Sequence, residues 1–135
     1  MTPDPACCTL DTSVDEIAKL MVQNNCGEIP IVNAADHVVG VVTDRDIVCR
    51  VVSEGCEPAT TMVSEVMTKD NLCTCRDDQT IEEAARLMEE RQIRRIPVLD
   101  RYDRLIGLIT MGKIAKVEDE ERSGEVLKEV VQPKK

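Results

Sequence analysis

The chain of 135 residues contains no Phe, no Trp and a single Tyr. Its interior must therefore be filled by aliphatic side chains, Met and Cys. The missing aromatic side chains are also the usual platforms on which single-stranded nucleic acids stack. A net charge of −9 disfavours binding to nucleic acid or to an anionic membrane surface. We therefore expect neither as a partner.

Long apolar runs are missing as well. No segment approaches the roughly 20 apolar residues that are needed to cross a bilayer. The opening sequence, MTPDPACCTL, has neither the basic segment nor the apolar core of a signal peptide. A cytoplasmic location is therefore expected.

Motifs for catalysis and metal binding are scarce. The sequence has no Walker A motif and no Ser or Cys with an evident base partner, and its only histidine, His37, lies in a predicted polar turn. The seven cysteines are an odd number, and neither Cys7-Cys8 nor Cys73-x-Cys75 has the spacing of common zinc sites. We predict no enzyme activity and no metal, with cysteines that act as small apolar side chains.

What the sequence does contain is an internal repeat with a period of 67 residues. The stretches GVVTDRDIV at 40–48 and GLITMGKIA at 107–115 share a glycine, a short apolar strand and a threonine. Such self-similarity indicates a duplication. Pairs of like residues with this separation and no gap are Ser13/Thr80, Ala18/Ala85, Met21/Met88, Pro30/Pro97, Gly40/Gly107 and Thr43/Thr110.

Each half predicts a β-α-β-β-α unit. A short extended piece (6–8; 72–75) comes first, followed by Ser13-x-x-Glu16 or Thr80-x-x-Glu83, which predict capping boxes at the start of amphipathic helices. Apolar and polar segments then alternate as expected for two strands joined by a turn. The predicted strands are 29–32 and 38–42 in the first half and 96–99 and 105–109 in the second, with second helices beginning near Asp44 and Met111.

The predicted fold class is α/β (α+β). Each unit has an apolar sheet face that its two helices cannot wholly cover, so two repeats packed sheet to sheet, with pseudo-twofold symmetry, would bury it. The predicted boundaries are 1–53 for the first repeat, 54–69 for a connector with a short helix, 70–118 for the second repeat and 119–135 for a charged tail. The tail is either helical, with a stripe of Val126, Leu127, Val130 and Val131, or solvated.

These motifs resemble a tandem pair of CBS domains, a Bateman module, over roughly residues 5–120. The segments that carry the resemblance are IPIV with GVVTDRDI, and IPVL with GLIT. Family members usually have a short helix ending in Met-Thr before the first strand, whereas this chain begins at that pair. The resemblance implies a regulatory module that senses adenine nucleotides (AMP, ADP or ATP, in some members S-adenosylmethionine or NAD), signals to a separate effector protein and forms a homodimer through its helices.

The first motif has chemistry that suits a nucleotide. Thr43 offers a hydroxyl beside the N-terminus of the predicted helix, where N–H groups and the helix dipole favour a phosphate. Asp46 offers two carboxylate oxygens, which fit the two hydroxyls of a ribose. The pair Thr43-x-x-Asp46 is also a capping box, and a purely structural role is the alternative interpretation.

The family pattern implies that this cleft is completed by the other repeat. The residues so implied are Cys73 and Thr74 on the first strand, with Arg94 and Arg95 before Ile96. The arginines would bind phosphate, or they form a solvated helix end. Because no aromatic ring is near, the base is expected between aliphatic side chains, and the candidates are Val41 and Ile96; Arg45 either reaches the phosphates or faces solvent.

The same pattern places Thr110 and Lys113 with Gly27 and Glu28 in a possible second cleft. Lys113 replaces the ribose acceptor, and Glu28 puts an acid where a phosphate would lie, although Lys113 could itself attract one. One nucleotide per chain is therefore predicted, in the cleft with Asp46. Two other functions stay open: a thiol- or metal-responsive protein that uses its cysteines, and a structural dimerisation module with vestigial clefts.

Overall fold

The computed structural model describes residues 7–70, 72–121 and 124–131. The chain divides into two compact units, the first formed by Ala6–Leu72 and the second containing the residues from Cys73 onward. Each unit combines helices with a small sheet, so the predicted α+β class is confirmed. The predicted elements at Ala6, at 122–123 and at 132–135 lie outside the described residues. No helix within the described ranges has the length and hydrophobicity of a membrane-spanning segment.

The first unit is built around a hairpin. Strand β1 pairs antiparallel with β2, so that Ile29 lies opposite Val42, and the register shifts between Ile31 and Val32. The elements are α1 (Val14–Asn24), β1 (Glu28–Val32), β2 (Val38–Thr43), α2 (Asp44–Ile47), a π-helical turn (Val48–Val52) and a 3-10 helix (Val63–Glu65).

The second unit repeats this hairpin and adds a strand. Strand β3 pairs parallel with β4, which pairs antiparallel with β5, and the register again shifts, between Val98 and Leu99. This shift lies 67 residues after the shift in the first unit, so the duplication preserves an irregularity as well as the strands. The elements are β3 (Cys75–Arg76), α3 (Ile81–Arg91), β4 (Arg95–Leu99), β5 (Leu105–Thr110), α4 (Met111–Asp119) and α5 (Leu127–Val130).

Both cores are aliphatic, as the composition requires. In the first unit Ile17, Ile29 and Val42 have no exposed surface, and in the second Ile81 and Ile96 have none. Full burial of one such side chain contributes roughly 1.5–3 kcal/mol. Each core thus joins buried residues of the helices to those of the hairpin in the same unit.

Helix α1 begins at Val14, but the predicted capping box at Ser13 does not form. The Ser13 hydroxyl instead donates to the Asp15 carboxylate at 2.5 Å, which lowers the pKa of that carboxyl. The first helical N–H groups donate to main-chain carbonyls, from Val14 to Thr61 at 2.9 Å and from Asp15 to Pro58 at 3.2 Å. Two of the N–H groups that a helix start leaves without a helical partner are thus satisfied by the main chain.

In the second unit, the Thr80 hydroxyl does cap its helix, by accepting the N–H of Glu83 at 3.1 Å. The N–H of Ile81 donates to the carbonyl of Glu125, in the tail, at 2.9 Å. The tail therefore supplies a carbonyl to α3 in the same way as the connector supplies carbonyls to α1.

The connector and the tail occupy equivalent places in their units. Val63 donates its N–H to the carbonyl of Thr12 at 2.8 Å, and Leu127 donates its N–H to the carbonyl of Gln79 at 2.7 Å. Val63 and Leu127 are both fully buried. Thr12 and Gln79 are 67 residues apart, whereas Val63 and Leu127 are 64 apart. The duplication thus extends into the tail, with a three-residue change in spacing.

Candidate ligand-binding site

The corner between β2 and α2 is a complete capping box. The Thr43 hydroxyl accepts the N–H of Asp46 at 3.1 Å, and Asp46 Oδ2 accepts the N–H of Thr43 at 2.9 Å. Thr43 is the last residue of the hairpin and keeps an extended conformation, so the chain turns directly from strand into helix. The structural role of this pair is therefore real, and any ligand role must be compatible with it.

Asp46 is the one buried charged residue among the described residues, with 9% of its surface exposed. Its two oxygens also accept the hydroxyl of Thr68, at 3.2 Å to Oδ1 and 3.3 Å to Oδ2. The guanidinium of Arg50 lies 3.8 Å from Oδ1. A carboxylate at this depth is fixed in direction by its partners, and the sequence alone did not point to Thr68 or Arg50.

Gly27 and Glu28 lie beside this same corner. The carbonyl of Gly27 accepts the N–H of Asp44, the first residue of α2, at 2.9 Å, and Glu28 lies opposite Thr43 in the hairpin. A Cβ atom on Gly27 would lie 2.9 Å from the Asp44 carboxylate. Glycine therefore permits the close approach of this segment to the start of α2.

The corner of the second unit has the same frame and different charges. The Thr110 hydroxyl accepts the N–H of Lys113 at 3.1 Å, and the carbonyl of Arg94 accepts the N–H of Met111 at 2.9 Å. Arg95 lies opposite Thr110 in the hairpin. A cavity of about 400 Å³ opens at this corner, lined by Arg94, Arg95, Thr110, Met111, Gly112 and Ala115.

Within each unit, therefore, the residues that precede Ile-Pro lie beside the unit's own Gly-h-h-Thr motif. The structure brings Gly27 and Glu28 together with the Thr43 corner, and Arg94 and Arg95 together with the Thr110 corner. The implied pairing of the arginines with Thr43 and Asp46 joins residues of two different units, and it stays a prediction.

The remaining predicted site residues differ in how far they are buried. Ile96 is fully buried in the core around β4, and its predicted contact with a base stays a prediction. Val41 is half-buried and Arg45 is exposed. Cys73 and Thr74 are half-buried in the segment before β3, and Cys73 packs against the core of the second unit.

A groove of about 630 Å³ runs between α1 and α2 in the first unit. Its counterpart between α3 and α4 has a volume of about 350 Å³. Gly27 and Asp44 line the groove, so it reaches the capping corner, although Asp46 itself is not among the lining residues. The first groove is lined by Ala18, Met21, Val22, Asn25, Cys26, Gly27, Asp44, Ile47 and Val48.

The cysteines do not form a reactive cluster. Burial raises the pKa of the Cys8 thiol to about 11 and that of the Cys75 thiol to about 12, so both stay protonated near neutral pH. Cys49 and Cys56 are exposed. Among the described residues, no group of three or more His, Cys, Asp or Glu side chains could hold a metal ion.

The family model of the CBS domain matches residues 1–53 and 63–120. Protein MK0525 of Methanopyrus kandleri is 38% identical over 76% of this chain, which spans about half (52%) of that relative's length. The structure of CBSX2, a CBS-pair protein of Arabidopsis thaliana, in complex with AMP matches at a TM-score of 0.74, with 28% identity over 87% of this chain and 90% of that one.

The CBS domain pair of protein MJ0100, in complex with 5′-methylthioadenosine and S-adenosyl-L-methionine, matches at a TM-score of 0.75. It is 26% identical, over 90% of this chain and 93% of that chain. Both family-model matches contain a Gly-h-h-Thr corner at the start of a second helix, which is the feature that the duplication preserves. The chain therefore belongs to the CBS-domain family and carries two copies of the domain in tandem.

Proposed function

We propose that this chain is a regulatory module that binds an adenine nucleotide and signals its presence to a separate protein. Similar CBS pairs have been solved with AMP and with 5′-methylthioadenosine and S-adenosyl-L-methionine. 5′-Methylthioadenosine has no phosphate, so these three compounds share only the adenine base and a ribose with its 2′- and 3′-hydroxyls. Recognition of the ribose diol is one requirement that all three could share, and Asp46 has the right chemistry for it.

The observation that carries the proposal is the buried carboxylate of Asp46. Its exposed fraction is 9%, and the N–H of Thr43 fixes one oxygen at 2.9 Å. A carboxylate held in this way has two oxygens that can accept both hydrogens of a ribose diol. The equivalent position in the second unit is Lys113, which has no acceptor.

The second unit offers cations where the first offers acids. Arg94 and Arg95 line a cavity at the start of α4, with Lys113 one turn further along. Guanidinium groups bind phosphate through paired hydrogen bonds, and the N-terminus of a helix adds a favourable field. We keep the prediction that the two arginines bind the phosphates of the same nucleotide whose ribose is held by Asp46.

Isothermal titration calorimetry with adenosine, AMP, ADP and ATP tests the ribose assignment. Asp46→Ala removes two charge-assisted hydrogen bonds, each worth roughly 1.5–3 kcal/mol, so affinity for all four compounds should fall by at least about 100-fold. Lys113→Ala changes the matched position and should leave affinity for adenosine within about twofold. If Asp46→Ala binds as well as the parent while circular dichroism shows both folded, the ribose assignment is wrong.

The arginine assignment needs a different comparison. Arg94→Ala/Arg95→Ala should weaken ATP by about 30-fold and leave adenosine nearly unchanged, because adenosine has no phosphate. The same titrations give the stoichiometry, and one nucleotide per chain is expected. Two independent sites of different affinity would show that the ribose acceptor and the arginines serve separate ligands.

We also propose a homodimer that forms through the exposed helix faces of the first unit. Three valines of α1 and the π-helical turn are largely exposed: Val22 at 83%, Val48 at 58% and Val52 at 65%. Apolar side chains grouped in this way are typical of protein interfaces. The residues 67 positions later are Glu89, Ala115 and Asp119.

The oligomeric state of matched glutamate variants tests this proposal. Val48→Glu places a charge in the apolar face, and light scattering coupled to size-exclusion chromatography should then show a monomer. Ala115→Glu makes the corresponding change in the second unit and should leave the dimer intact. A monomeric parent, or a dimer that survives Val48→Glu, would contradict an interface at these valines.

A further inference from the structure

The connector passes directly over the strand that leads to Asp46. The N–H of Thr68 donates to the carbonyl of Val41 at 2.8 Å, and the N–H of Val41 donates to the carbonyl of Thr68 at 3.0 Å. Gly40 makes this approach possible, because a Cβ atom there would lie 2.7 Å from Met67 Sδ and 3.1 Å from the carbonyl oxygen of Thr68. Residues 66–68, which we call the strap, thus lie against β2 as an added edge.

Two side-chain interactions also hold the strap, in addition to its main-chain hydrogen bonds to β2. Arg50, in the π-helical turn, donates to the carbonyl of Val66 at 2.8 Å and to that of Met67 at 3.3 Å. The Thr68 hydroxyl donates to the Asp46 carboxylate. Strap, π-helical turn and candidate ligand residue are therefore joined in one network inside the first unit.

The bond from Thr68 to Asp46 is the weak member of this network. A threonine has one hydroxyl hydrogen, and here it lies between both oxygens of Asp46, at donor distances of 3.2 and 3.3 Å. Hydrogen bonds of hydroxyls to a carboxylate are usually about 2.5–2.7 Å long. The Thr43 N–H, by contrast, is at 2.9 Å from Oδ2, an ordinary length for a main-chain donor.

We infer that a ribose diol bound by Asp46 displaces the Thr68 hydroxyl, so that occupancy of the site loosens the strap. This inference rests on the proposed ribose role of Asp46. A diol brings two hydrogens and fits one to each carboxylate oxygen, which is the position that the single Thr68 hydrogen now shares. The Thr43 N–H keeps its own lone pair on Oδ2, so the helix cap survives binding.

Linkage fixes the direction of the effect. If the ligand weakens the contact between Thr68 and Asp46 by some factor, removal of that contact must strengthen the ligand by the same factor. Thr68 is then a positioning residue that lowers affinity and transfers part of the binding free energy to the connector. If Thr68 only supported the fold, its substitution would leave the affinity for the ligand unchanged or would reduce it.

Two variants separate these roles. Thr68→Val keeps the shape of the side chain and removes the hydroxyl, so AMP should bind about fivefold more tightly. Thr68→Ser keeps the hydroxyl and should bind AMP as the parent does. Both are measured by calorimetry, and the fold of each variant is checked by thermal unfolding.

Hydrogen exchange of the parent chain provides a second readout that needs no substitution. When AMP saturates the protein, the amides of Thr68 and Val41 should exchange several times faster, since the strap has lost one of its bonds. In Thr68→Val these amides should already exchange faster without AMP, and AMP should not change their rates further. The amides of β1 serve as an internal control and should not respond in this way.

The outcomes distinguish this inference from the proposed function. If AMP does not bind the parent chain, the proposed function fails. If AMP binds in an Asp46-dependent manner but Thr68→Val binds AMP equally or more weakly, the inference is overturned while the function stands. Slower or unchanged exchange of Thr68 and Val41 in saturated parent protein overturns it as well.

Discussion

The two corners, at which β2 turns into α2 and β5 into α4, differ in how the helix is capped. In the first, threonine and aspartate hold each other in a reciprocal capping box. In the second, Thr110 accepts the N–H of Lys113 and receives no carboxylate in return. The strands, the threonine and the carbonyl that meets the first helical N–H are the same in both.

This difference shows which residues of the corner the fold requires and which it does not. A single threonine is enough to start α4, so a carboxylate at position 46 is not required for helix formation. The first corner nevertheless buries one, with acids nearby, while the second gathers Arg94, Arg95 and Lys113. At this corner the charge differs between the repeats, while the frame is the same in both.

Substitution of matched core residues is the strongest test of whether the two repeats are equivalent in structure. Ile29→Ala and Ile96→Ala remove matched side chains that are both fully buried. Each should lower the free energy of unfolding by about 3 kcal/mol, since large-to-small core changes of this kind cost 2–5 kcal/mol. Urea denaturation checks this. A difference of more than about 1.5 kcal/mol between the two would show that the repeats are not equivalent frames.

The matched thiols Cys8 and Cys75 should also behave alike. Burial raises their pKa values to about 11 and about 12, so the reactive thiolate appears only as the pH rises toward those values. At pH 8 both should react with a thiol reagent at least about 100-fold more slowly than the exposed Cys49 and Cys56. Mass spectrometry of peptides during labelling measures the rates; rapid labelling of Cys8 in folded protein would contradict the assignment.

A substitution at Gly40 tests the packing of the strap against β2, a contact described for the first unit. Gly40→Ala introduces a Cβ atom 2.7 Å from Met67 Sδ, so the strap must move. Overpacking of this kind costs about 2 kcal/mol, which thermal or urea unfolding would detect. Gly112→Ala is the control, because a Cβ atom there meets nothing within 4 Å. Equal stability of the two variants would mean that the strap is not held against β2.

The smallest effect concerns the caps themselves. Thr43→Ala and Thr110→Ala each remove one side-chain acceptor, for the N–H of Asp46 and of Lys113, while the main-chain N–H of residue 43 still donates to Asp46. We expect each substitution to cost about 1 kcal/mol, within the range known for N-caps. Clearly unequal losses in urea denaturation would show that the two caps are not equivalent.

Local patterns predicted much of the frame and little of the pairing between segments. The starts of α2 and α4 and the two hairpins follow from alternation and from threonine before a helix, which act over a few residues. The cap at Ser13 was predicted wrongly, because carbonyls some 45 residues away in the chain satisfy the helix. Ile96 was assigned to a ligand, and in the structure it lies in a run of four buried residues of β4 that no alternating pattern marks.

The equivalence of the tail and the connector was missed for a related reason. The pattern Val63-x-x-Val66-Met67 recurs as Leu127-x-x-Val130-Val131, and all these side chains are buried. Their separation is 64 residues rather than 67, so a search at one fixed period passes over them. Thr68 was not singled out because its contact with Asp46 joins residues 22 positions apart, which no local pattern encodes.

The π-helical turn Val48–Val52 sets the direction of Arg50. A π turn holds one more residue than the α-helical turn it replaces, and successive α-helical residues are about 100° apart around the axis. Deletion of one residue before Arg50 would therefore rotate its side chain by roughly a quarter of a turn, away from the carbonyls of Val66 and Met67. Insertions and deletions in this short stretch would therefore change how strongly the first unit holds the segment that follows it.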